Sequence, residues 1–113
     1  MFRRIDHVAL HVKDIKKSQQ FYSDYFGFEP YFEYALPSGV RIVYLKLGDT
    51  VLELVSDGSS DLQNMHFALQ ADNFDEAVAY LDQLPVLAYM PPLDTPAREP
   101  AETGWRRATY FGP

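Results

Sequence analysis

The chain carries one strand motif twice. His7-Val8-Ala9-Leu10 opens the first half and His66-Phe67-Ala68-Leu69 opens the second. Each copy is followed by an Asp or Asn and an amphipathic stretch, Asp14-Ile15 in the first and Asn73-Phe74 in the second. Self-similarity at a fixed spacing marks a duplicated structural unit. Both copies set a histidine at the same point of the same strand. Two such units related by a pseudo-two-fold axis bring the two histidines to one central place, which points to a metal site more than to a packing accident.

At 113 residues the chain suits one compact domain with a modest core and is too short for two ordinary ones. Its hydrophobic share of 47% marks a globular sequence. The net charge of −6 argues against a nucleic-acid partner, which wants a basic face. With no cysteine there are no disulfides, no thiolate metal ligands and no cysteine nucleophile. No apolar run approaches the roughly 20 residues of a membrane span, so no membrane partner is expected. Met1-Phe2-Arg3-Arg4 precedes a short alternating strand, not the apolar core of a signal peptide, and a cytoplasmic location is the default expectation.

Residues 5–12 alternate. Ile5, His7, Ala9 and His11 share one face; Val8, Leu10 and Val12 share the other, which should pack on helices. Asp14 is a fitting N-cap, and Ile15, Ser18, Phe21, Tyr22 and Tyr25 recur at helical spacing until Gly27 closes the helix. Strands are predicted over 31–36, 40–47 and 50–55, joined by Pro37-Ser38-Gly39 and Gly48-Asp49. In the third strand Leu52 and Leu54 face one way, and Val51, Glu53 and Val55 the other. A Glu centred in an apolar strand is costly to bury unless it is paired, hydrogen-bonded or metal-bound. A polar linker follows at 57–61. The second half then reads as a strand over 65–71, a helix capped at Asp72 or Asn73 and running to Leu84, a strand over 86–90, a Pro-rich mobile loop over 91–102 and a last strand over 104–111. The fold class is therefore α+β, a single domain of paired modules. A βαβββ module covers 1–56, and a second, over 64–113, lacks its last strand. By the duplication, the counterpart of the strand carrying Glu53 is expected beyond residue 113, with a carboxylate of its own.

Ile5-Asp6-His7-Val8-Ala9-Leu10-x-Val12-x-Asp14, Phe21-Tyr22 before Gly27-Phe28, Val51-Leu52-Glu53-Leu54 and His66-Phe67-Ala68-Leu69 together resemble the vicinal oxygen chelate superfamily of glyoxalases, bleomycin-resistance proteins and dioxygenases. Within it the stretches around Glu53 and His66 look most like bacterial lactoylglutathione lyase. That resemblance implies a divalent ion (Zn, Ni, Co, Mn or Fe) held by His7, Glu53 and His66, with a fourth ligand from the strand expected past residue 113. It also implies Glu53, or its counterpart on the strand expected past residue 113, as the catalytic base, a small oxygenated substrate bound by two neighbouring oxygens, glutathione as a candidate co-substrate, and a homodimer. His11 falls where such proteins often place a substrate-binding Arg, so it is read as a pocket residue.

Plainer readings stand beside these. A strand histidine is more often a packed or surface residue than a ligand. Glu53 can instead pair with Arg41 or Arg107. Tyr44, Trp105 and Tyr89 either line a substrate cavity or fill the core, and Arg106 and Arg107 either grip an anion or stand solvated at a strand end. Three functions follow, in order: a metal-dependent lyase or isomerase that abstracts a carbon-bound proton; an oxygenase or transferase of the same fold, such as an Fe(II) dioxygenase built on the two histidines and a carboxylate; and a small-molecule binding protein of the resistance type.

Overall fold

The computed structural model describes residues 1–58, 65–101 and 104–113, apart from the side chain of Trp105. The expected residues 59–61 of the polar linker lie outside that set. The described chain forms two compact units, one over Met1–Phe67 with Pro113 and one over Ala68–Gly112.

The first unit has the predicted β-α-β-β-β order: β1 (Val8–His11), α1 (Ile15–Phe26), β2 (Glu29–Ala35), β3 (Arg41–Leu47) and β4 (Thr50–Ser56). The helix begins where Asp14, in extended conformation, accepts the Lys17 N–H on its Oδ1 at 3.1 Å. It ends at Gly27, whose φ of 74° returns the backbone N–H to the Tyr22 carbonyl. Its buried face, Ile15, Ser18 and Tyr22, keeps the three- and four-residue spacing of a helical stripe. That stripe covers Leu10, Val12, Val43, Leu45, Leu52 and Leu54, and Phe67 packs at the margin with its ring 5.7 Å from Tyr22.

The four strands make one sheet in the order β1-β4-β3-β2. β3 and β4 form a tight antiparallel hairpin, and β1 lies parallel to β4 on the far side. Alternation then sorts the strands as the sequence predicts. Leu10, Leu52 and Leu54 turn to the helix, and Ala9 and Glu53, register partners, turn to the opposite face. β1 is shorter than expected and starts at Val8, leaving Ile5 exposed and His7 outside the ladder.

The second unit holds α2 (Phe74–Leu81), β5 (Leu87–Thr95) and β6 (Trp105–Phe111). Asn73 caps α2, its Oδ1 accepting the Glu76 N–H at 3.1 Å. The helix is one turn shorter than predicted, because short turn hydrogen bonds at Gln83 and Leu84 replace it before Pro85, and another at Val86 follows. Arg106 ties the helix to β6, 3.0 Å from Asp75 and stacked 4.4 Å over Phe74; the Tyr110 hydroxyl donates to Asp82 at 3.0 Å.

Two expectations are corrected here. Residues 65–71 form no strand; a strand exists only through a ladder, and none of the described strands pairs with them. The Pro-rich stretch is not a loop at its start, since β5 runs through Pro91 and Pro92 and pairs antiparallel with β6. The register slips between Met90 and Leu93, where the prolines have no N–H to give. Among the described residues no helix is long and apolar enough to cross a membrane. The architecture is α+β, with a four-stranded sheet, a two-stranded sheet and two helices.

Candidate functional site

The face of the first unit's sheet turned away from α1 carries a row of chemistry. Phe32, Tyr44, Glu53 and Ala9 are successive register partners across β2, β3, β4 and β1, so all four rise from the same side. Glu53 is only 9% exposed although it sits in the middle of an apolar strand. A carboxylate so placed needs a partner. It has one: His7 Nε2 stands 2.7 Å from Glu53 Oε2. On its other side His7 Nδ1 is 2.9 Å from Asp6 Oδ2. The imidazole is thus clasped between two carboxylates.

That arrangement sets the protonation of His7. The hydrogen bond to Asp6 raises its pKa above the usual 6.5, partial burial opposes this, and the charge of Glu53 raises it again. Asp6 is held below the ordinary carboxylate value chiefly by the same hydrogen bond. Tyr44 completes the group. Its ring meets the His7 ring edge-on, with centroids 5.6 Å apart and planes at 85°. Its phenol is pushed up to about 12, first by burial and then by the Glu53 charge and by Tyr34.

Beside these polar groups lies an aromatic hollow of about 490 Å³ lined by Tyr31, Phe32, Tyr34 and Tyr44. Its lining depends on a register shift between Pro30 and Phe32, which leaves Tyr31 as the extra residue of a bulge. The Tyr31 ring consequently reaches Tyr44, 6.2 Å away, and carries the Lys46 ammonium 4.3 Å over its face.

The predicted residues therefore divide. His7, Glu53 and Tyr44 come together. His11 lies on the same strand face but engages Asp57, 2.9 Å from its Nδ1. His66 is exposed and in irregular chain, and among the described residues no group of three or more His, Asp or Glu side chains is placed to hold an ion. Arg107 is exposed on β6 opposite Leu93, in the second unit. Tyr89 is exposed against Phe111, and the Trp105 side chain lies outside the described residues. Asp6 and the β2 aromatics went unnoticed in the sequence. Alternation assigns Asp6 to the face opposite His7, but the chain at 6–7 is not yet strand, so both can turn to one place.

His7 and Glu53 have the chemistry of a divalent-ion site. Bonds of about 2.0–2.2 Å hold neighbouring donors of one ion roughly 3 Å apart, close to the separation of this pair. A carboxylate on Nδ1, as Asp6 is, fixes the tautomer that leaves the Nε2 lone pair for an ion. These are two donors and not a complete set.

Comparison with known proteins identifies the family. The model of the Glyoxalase/Bleomycin resistance protein/Dioxygenase superfamily matches residues 4–110. Mitochondrial methylmalonyl-CoA epimerase of Mus musculus is 34% identical over 88 residues, covering 66% of this chain and 49% of its own length. The chain spans about half the length of the curated relatives it matches. Among solved structures, a glyoxalase family protein of Enterococcus faecalis superposes with a TM-score of 0.73 at 26% identity, covering 99% of this chain and 91% of that one. A fosfomycin resistance protein of Listeria monocytogenes, solved with Mn(II) and 1S,2S-dihydroxypropylphosphonic acid, gives 0.66 at 20% identity, covering 82% and 77%; that likeness is one of fold. The chain belongs to the Glyoxalase/Bleomycin resistance protein/Dioxygenase superfamily.

Proposed function

We propose that this protein is a metal-dependent isomerase or lyase that moves a carbon-bound proton next to a carbonyl in a small oxygenated substrate. The observation that carries the reading is the buried Glu53 held 2.7 Å from His7, with Asp6 behind the imidazole. The epimerase likeness supports the same class of chemistry, since epimerisation beside a carbonyl removes and returns one proton. His7 and Glu53 would hold the ion with His66 as a third donor. A divalent ion held there would act as a Lewis acid on neighbouring substrate oxygens and draw off their developing charge. Glu53 is the group that takes the proton from carbon and returns it, to the other face of that carbon or to its neighbour. His11 and Arg107 remain proposed as substrate contacts, with Trp105, and the chain is proposed to work as a homodimer.

The test begins with protein purified without chelator. Titration with Ni²⁺, Zn²⁺, Co²⁺ and Mn²⁺ should show one site, lost in His7→Ala and Glu53→Gln. The loaded protein should then catalyse exchange of solvent deuterium into either a 2-methyl-branched thioester or the glutathione hemithioacetal of methylglyoxal. Absence of binding for every ion would overturn the metal reading.

A second reading has its own support. The hollow of Tyr31, Phe32, Tyr34 and Tyr44 is apolar, open and larger than proton transfer requires. Such a wall suits a small-molecule binding protein of the resistance type, which holds its ligand without turnover. Saturable quenching of tyrosine fluorescence by a flat aromatic ligand, unchanged in Glu53→Gln and with no deuterium exchange, would favour it.

A further inference from the structure

We infer that the hollow of Tyr31, Phe32, Tyr34 and Tyr44 is a binding site for an organic cation, a quaternary or fully methylated ammonium group held by the aromatic rings. The inference rests on the reading of that hollow as a ligand-binding wall and names the class of ligand; it does not depend on the metal reading.

Four aromatic side chains line one open hollow of about 490 Å³. Their rings follow one another in a chain. Tyr31 and Tyr44 are 6.2 Å apart at 48°, Tyr44 and Phe32 6.1 Å apart at 44°, Phe32 and Tyr34 5.7 Å apart at 47°. Rings tilted in this way around a hollow present faces to it as well as edges. The face of an aromatic ring is the negative end of its quadrupole and attracts a cation within about 6 Å of the centroid. One cation of the protein already responds to that attraction. Lys46 is the register partner of Glu29, a carboxylate on the same face of the sheet. Its ammonium nevertheless stands 4.3 Å over the Tyr31 ring, and the ion pairs among the described residues do not include it. A primary ammonium is strongly hydrated and gives up its water reluctantly. A methylated one is larger, less hydrated and apolar on its outside, so the rings hold it more firmly than they hold Lys46. The surrounding charge favours the same sign: Glu53 is the register partner of Tyr44, and the chain carries a net charge of −6. A neutral ligand of the same shape gains the apolar contact alone.

The test compares choline with 3,3-dimethylbutan-1-ol, its uncharged isostere, on metal-free protein at constant ionic strength. Ring currents should move the N-methyl proton resonance of choline upfield, and the ring protons of Tyr31, Phe32, Tyr34 and Tyr44 should titrate saturably. We expect choline to bind about fivefold more tightly than the alcohol. Phe32→Leu removes one ring at an exposed position and keeps an apolar side chain. It should fold like the parent by far-ultraviolet circular dichroism, weaken choline about threefold and leave the alcohol unchanged. Lys46→Met removes the tethered competitor and its like charge, and should tighten choline binding about twofold. Binding of the alcohol as tight as that of choline would overturn the inference, as would a loss of choline affinity in Lys46→Met. Absence of saturable binding by either ligand would also overturn it. In that case quenching by a flat aromatic ligand, measured separately, shows whether the hollow still binds a ligand of another class or none. None of these measurements involves a metal, so they stand whatever the ion titrations give.

Discussion

His7 is the residue on which the site turns, and its two carboxylate neighbours give it a definite pH behaviour. Its pKa is raised, by the Asp6 hydrogen bond before all else. A raised folded-state value means the charged imidazole stabilises the fold fully below 6.5, and this stabilisation is lost as pH rises through the folded midpoint. Asp6 has the opposite sign: its lowered pKa gives stabilisation present above 3.8 and lost as pH falls through the depressed value. The ion-free protein should therefore show a His7 midpoint above 6.5 by ¹H–¹⁵N NMR, moved downward in Asp6→Asn. A midpoint at or below 6.5 in the parent would contradict the geometry. Because an ion needs the neutral imidazole, Ni²⁺ affinity should climb with pH through that midpoint. His7 and Glu53 were legible in the sequence, one from its repeat and the other from the cost of a buried carboxylate. Asp6 was not, because a period-two reading sends adjacent residues to opposite faces and the strand begins only at Val8. His66 was read from the same repeat, but position in a motif conveys a position in space only where the strand forms, and 65–71 is irregular.

At the scale of elements, what the sequence announces best is what local chemistry decides. α1 is bounded by Asp14 and Gly27, and each boundary has a physical cause that needs no tertiary contact. Replacing Asp14 with Ala should cost about 1 kcal/mol in urea denaturation. Gly27→Ala should cost a similar amount, about 1 kcal/mol, since its φ of 74° lies in the left-handed region. Leu54→Ala, at a fully buried position of the central strand, should cost more, about 2–5 kcal/mol. If the cap variants proved more damaging than Leu54→Ala, the helix and not the sheet would be the base of the unit. What the sequence conceals is pairing. The Pro91-Pro92 stretch looks like loop because proline cannot donate to a ladder, yet an irregular register absorbs both residues within β5. The Tyr31 bulge is equally silent, and it is the device that turns an ordinary edge strand into one wall of the hollow.

At the scale of the whole molecule, the two copies of the repeat have unequal outcomes. The first unit encloses the buried cluster from Leu10 to Leu54; in the second, α2 buries no residue and the described side chains of β5 and β6 are half-buried or exposed. A two-stranded sheet is marginal in water without a covering layer. Leu87, Tyr89 and Phe111 are 74%, 59% and 58% exposed, and the last two stack on each other at 5.1 Å, an apolar strip on β5 and β6 that invites cover. We propose that a second copy of the chain supplies it. Light scattering at micromolar concentration should give twice the mass of the 113-residue chain. Amide exchange should separate the units: β3 and β4 slow at every concentration, β5 and β6 fast when dilute and slower as concentration rises through the dimerisation range. Tyr89→Ser, on the exposed strip, should weaken the dimer and abolish that concentration dependence while leaving β3 and β4 protected. A monomeric mass with β5 and β6 exchanging at one rate throughout would rule out self-association as the cover for this strip.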